Sequence, residues 1–119
     1  VTDTDWASFV HTAEQCRAAA QAWRTLFGDV DAEIERADVV WGDNADLPNG
    51  TDPAYTTLAD YAKQDTDAAH AAGSLTWLHV LNEEVCEAFA ETDPVALRAE
   101  LVQVAATALR WVRALDTPP

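Results

Sequence analysis

Two groups of carboxylates occupy neighbouring stretches of the C-terminal half: Glu83-Glu84-Val85-Cys86-Glu87, and Glu100 with Gln103 three residues on. On a helix, residues three or four apart share a face, so Glu84 pairs with Glu87, and Glu83 with Glu87. Four carboxylates drawn together in apolar surroundings repel one another strongly. A hard divalent cation among the oxygens relieves that repulsion, which makes magnesium the ion these residues would hold. The plain alternative is a solvated acidic face. Against it, the acids stand among the most apolar residues of the chain, without the Lys or Arg partners such a face contains.

The elements that must position these acids read as all-α. A first helix is expected over residues 4–27, capped by Thr4 or Asp5 and ended by Gly28. Its stripe of Trp6, Phe9, Val10, Ala13, Cys16, Ala20, Trp23 and Phe27 has helical spacing. A second helix follows over 30–41. A loop rich in turn residues comes next, from Gly42 through Pro48, Asn49 and Gly50 to Thr51. A third helix starts at Asp52-Pro53 and runs to Gly73, and a fourth spans 75–91 behind a Ser74 cap. A fifth opens at Asp93-Pro94 and extends to 115. With so short a link, the last two helices form an antiparallel hairpin, and Glu87 and Glu100 lie at similar distances either side of its turn. On the fifth helix, Leu97, Leu101, Val104, Ala108, Trp111 and Leu115 form a core seam. Val102, Ala105, Leu109 and Val112 widen its apolar face until it needs partners on more than one side, one of which a second subunit can supply.

The totals set bounds. At 119 residues the chain is one domain by length, and 49% apolar residues exclude wholesale disorder. A net charge of −14, from 21 acidic and 7 basic residues, disfavours nucleic acid and anionic membranes as partners. No apolar run reaches spanning length and the N-terminus lacks a signal-like pattern, so the cytoplasm is the expected compartment. Cys16 and Cys86 are expected as buried free thiols, with no disulfide and no zinc motif.

From Trp77 to Asp116 the chain resembles the MazG-like, all-α nucleoside triphosphate pyrophosphohydrolases, in particular the small proteins of actinobacteria and their phages. The family signature is EExxE on one helix and ExxD on the next. Here the halves are Glu83-Glu84-Val85-Cys86-Glu87 and Glu100-Leu101-Val102-Gln103. Upstream, Trp41-Gly42-Asp43-Asn44 followed by Pro48-Asn49-Gly50-Thr51 is similar to a WGEQN-PDGT segment of that group. The resemblance covers roughly residues 29–116 and leaves the first helix outside it. It implies a four-helix-bundle-like core, with an extra N-terminal helix here, completed by dimerisation or higher homo-oligomerisation. It also implies cleavage of a nucleoside triphosphate between the α and β phosphates. Glu84, Glu87 and Glu100 would ligate magnesium, or manganese in its place, and Glu83 would bind metal or orient the attacking water. Gln103 departs from the pattern: its amide accepts through oxygen but brings no charge and no base.

Hydrolysis of a phosphoanhydride needs neutralised phosphates, an aligned water and a stabilised leaving group. Glu83 or Glu84 is left to position the water. Arg110, on the stripe of Glu100, Gln103 and Thr107, could meet a phosphate bidentately; otherwise it is a surface arginine near a helix C-terminus. Trp41 could stack on a base or cap the core, and Asn44 could bond a base edge or serve the turn. The remaining Trp residues read as core or interface, and His11, His70 and His79 as unconnected. Besides an enzyme, the chain fits a module that captures nucleotide without turnover, or a purely structural helical protein.

Overall fold

The computed structural model describes the backbone of residues 3–119 and the side chains of residues 12–119. The expected Thr4 and Asp5 cap, and the places of Trp6, Phe9, Val10 and His11 in the first stripe, lie outside the described side chains. The protein is all-α. Four helices are present among the described residues, α1 (Asp3–Trp41), α2 (Thr56–Ala71), α3 (Trp77–Ala90) and α4 (Pro94–Asp116), with one 3-10 turn (Pro53–Tyr55) before α2. No described helix is long and apolar enough to cross a membrane. The chain divides into two compact units, Val1–Ala45 and Asp46–Pro119.

In the first unit, the expected pair of helices 4–27 and 30–41 is a single one. Gly28 does not break it. One interior glycine costs a helix about 1 kcal/mol, less than the unmet N–H and C=O groups of two new termini. The stop comes instead at Gly42, whose φ of 78° turns the backbone left-handed while its N–H reaches the Asp38 carbonyl at 2.9 Å. A Cβ at Gly28 would meet nothing within 4 Å. Gly28→Ala is therefore expected to stabilise the protein by about 0.5–1 kcal/mol, seen as a rise in thermal midpoint. A lower midpoint would show that the helix needs its freedom there. Cys16, expected in the interior, is exposed, while Cys86 is buried; both are free thiols.

In the second unit α3 is the middle element. It packs against both α2 and α4, which do not pack against each other. The 3-10 turn is tied to α3 by the Asp52 N–H on the Phe89 carbonyl (3.0 Å) and by the Tyr55 and Phe89 rings, 5.9 Å apart. Asp52 caps this turn through the Ala54 N–H, with Pro53 at its first position. α2 ends in a Schellman turn, with Ser74 N–H on Ala69 O and Gly73 N–H on His70 O around a left-handed Gly73. Ser74 is thus committed to closing α2, and Thr76 rather than Ser74 caps α3. Thr76 accepts from the His79 N–H, and His79 Nδ1 receives the Thr76 N–H in return, a reciprocal capping box. Asp93 caps α4 through the Ala96 N–H, ahead of Pro94.

The residues buried between these helices are small apart from Leu97: Ala62, Thr66 and Ala69 on α2, Cys86 and Ala88 on α3, Leu97 and Thr107 on α4. The seam expected on α4 is only partly occupied. Leu97 is buried, but Leu101 is 51% exposed and Leu115 75%. A three-helix layer with α3 between its neighbours covers one flank of α4 and leaves the other open. The apolar residues of the open flank, Leu101, Val102 and Val112, have counterparts in the exposed Leu78 and Phe89 on α3 and Leu58 on α2.

Candidate metal centre

The acids converge where α3 and α4 run side by side. One ligand oxygen each from Glu84, Glu87 and Glu100 lies within 4.8 Å of the other two. The reason is local. Glu84 and Glu87 are one turn apart on α3, and the short Glu91–Asp93 link brings Glu100, two turns into α4, back alongside them. Phe89 and Leu78 take the opposite side of α3, so that helix is acidic on one flank and apolar on the other.

The site is electrostatically strained. Burial holds the Glu84 carboxyl above its ordinary range, and the charges of Glu100 and then Glu83 push it the same way. Glu87 is raised by burial first, then by Glu84, Glu100 and Glu83; only the Lys63 charge, from α2, opposes this. Lys63 is itself paired with Asp67 at 3.6 Å, so it offers Glu87 no direct partner. Oε2 of Glu84 and Oε2 of Glu100 are buried with no hydrogen-bond partner among the described residues. A buried oxygen left unmet costs roughly 1–3 kcal/mol, more when charged. Two such atoms, aimed among like charges, fit a cation as the missing partner. The donors are all carboxylate oxygen, the chemistry of magnesium, calcium or manganese rather than zinc or copper.

The remaining expected residues fall in several places. Glu83 is half-buried beside the cluster and adds its charge to Glu84 and Glu87. Gln103, one turn beyond Glu100, is exposed. Arg110 lies ten residues past Glu100, about 15 Å along the helix, where its guanidinium carbon sits 5.5 Å from the centre of the Trp77 ring. Trp41, 71% exposed at the end of α1, and Asn44, exposed in the turn after it, belong to the first unit. Two participants were not singled out by the sequence. Lys63 carries no motif, and its nearness to Glu87 depends on how α2 packs on α3. Trp77 reads as core, yet it is half-exposed and partners Arg110; its position seven residues before Glu84, on the same stripe of α3, is the signal that was available.

No family model matches the chain, no curated protein matches it, and no solved structure matches it.

Proposed function

We propose that the protein is a magnesium-dependent nucleoside triphosphate pyrophosphohydrolase that releases a nucleoside monophosphate and pyrophosphate, working in the cytoplasm. The observation that carries this reading is the triad Glu84, Glu87 and Glu100 with its two unpartnered buried oxygens. The likeness of the two acidic motifs to the MazG-like hydrolases supplies the reaction. In it, water attacks the α-phosphorus and the bond to the α–β bridging oxygen breaks, that oxygen leaving with pyrophosphate. A magnesium or manganese ion bound to the triad supplies charge neutralisation on the phosphates and on the leaving group. Glu84, Glu87 and Glu100 hold the ion and fix its place between two rigid helices. Glu83, next to the triad and with no ligand role forced on it, orients the water and takes its proton. Gln103 offers an amide oxygen to the substrate's hydrated phosphates.

Incubation with a panel of nucleoside triphosphates and magnesium tests the reading directly. Pyrophosphate and a monophosphate are expected in equal amounts from at least one of them. Their absence from every triphosphate at high protein concentration sinks it. A second reading, nucleotide capture without turnover, is favoured by Gln103, which brings no charge where the resembled family has an acid. It predicts tight binding with the ligand recovered unaltered. The apolar flank of the three-helix layer supports a homo-oligomer, dimer or tetramer, in either case.

A further inference from the structure

The acidic flank of α3 does not end at the glutamates. Val80 lies one turn before Glu84, and Trp77 a further turn back on the same stripe, about 6 and 10 Å along the axis. On α4, Arg110 continues the stripe of Glu100, Gln103 and Thr107. At that end of the α3–α4 seam, Leu75, Thr76, Trp77, Val80 and Arg110 line a cavity of about 280 Å³. Besides the indole N–H of Trp77, two lining side chains carry polar groups. The Thr76 hydroxyl is engaged with His79 in the capping box. That leaves the guanidinium of Arg110, held over the indole of Trp77, with no hydrogen bond or ion pair among the described residues.

That end of α3 lies about 10 Å along the axis from Glu84, a reach that a nucleoside monophosphate covers from its phosphate to the far edge of its base. A cavity with an aromatic wall suits a nucleobase. The one charged side chain in it decides between the purines. A guanidinium has donors only, set in a fixed fork. Between the purines, adenine sets an amino donor beside N7, whereas guanine sets O6 beside N7, two acceptors side by side, the pair an arginine fork meets bidentately. We infer that the Trp77–Arg110 cavity is the base subsite of the nucleotide whose phosphates the glutamates serve, and that Arg110 makes it select guanine over adenine. This rests on the nucleotide reading above and adds a specificity that the acidic motifs do not contain.

Calorimetric titration of the four ribonucleoside monophosphates with magnesium present tests it. Guanosine monophosphate is expected to bind at least about tenfold tighter than adenosine monophosphate. Arg110→Gln should bring guanosine down to the level of adenosine. Arg110→Lys, which keeps the charge and loses the fork, should lose most of the preference as well. Trp77→Phe should weaken all four. Glu84→Gln should weaken all four alike while the guanosine preference survives. Equal affinities for guanosine and adenosine in the unaltered protein, a preference for adenosine over guanosine, no binding of any monophosphate, or a guanosine preference that Arg110→Gln leaves in place each overturns the assignment. A preference that depends on Arg110 in a protein hydrolysing no triphosphate upholds the subsite and removes only the enzymatic reading.

Discussion

Glu84→Gln and Glu87→Gln are each expected to lower pyrophosphate release by about 100-fold or more, because on the proposed mechanism each would remove a charged ligand from a site working by electrostatics. The same changes should raise the stability of the metal-free protein. Both side chains sit in partial burial with like charges around them, and both carboxyls are pushed upward by it. Making one neutral relieves the others. The gain is a few tenths of a kcal/mol up to about 1, given that the groups are only part-buried and water screens them. Opposite signs for activity and stability separate a site residue from a structural one, since a structural glutamate would lose both together. An active Glu84→Gln variant would place the chemistry elsewhere.

Divalent cation and pH are both expected to act on thermal stability through Glu84 and Glu87. Glu84 and Glu87 have folded-state values above the ordinary carboxylate value of 4.5. A group raised on folding contributes stability that is complete below its unfolded value and lost as pH climbs through its folded one. In chelator, the thermal midpoint should therefore fall as pH rises from about 4.5 toward neutrality. Magnesium binds the ionised form, so it should restore the midpoint at pH 7 and do little near pH 4.5, where protons hold the same oxygens. At a hundredfold excess over its dissociation constant the ion contributes about 2.7 kcal/mol, a shift on the order of 10 °C for a unit this small. The net charge of −14 adds a slope of its own. Glu84→Gln and Glu87→Gln isolate the local part, because both should flatten the curve and abolish the magnesium response. A midpoint indifferent to magnesium at pH 7 argues for an acidic surface with no ion bound.

What the sequence disclosed follows from how local each signal is. Asp93-Pro94 and Asp52-Pro53 announce their helix starts because a cap and a fixed φ act within one turn. The meeting of Glu84, Glu87 and Glu100 could be counted out from a short hairpin. Gly28 misled because a glycine marks a helix end only where the backbone turns left-handed, as at Gly42, and the residue type does not distinguish the two. Ser74 misled because two possible caps stood two residues apart, and the demand of the preceding Schellman turn decided between them. On α4, a helix apolar over much of its girth does not say which flank its neighbour takes. Trp77 and Arg110 come together across two helices, in a register fixed by packing.

Ala88 carries no chemistry and is 2% exposed. It stands one turn after Glu84 on the same side of α3, the side on which Glu84 meets Glu100 of α4. The spacing of two helices is set by the side chains pinched between them. A methyl group buried on that side is expected to act as a gauge block: it would set how far apart the oxygens on the two rods are held, and so which ionic radius they could grip. Exchange for valine or leucine would widen the jaw while leaving every glutamate in place. Discrimination between a small ion such as magnesium and a larger one such as calcium would then be lodged in a residue that touches neither.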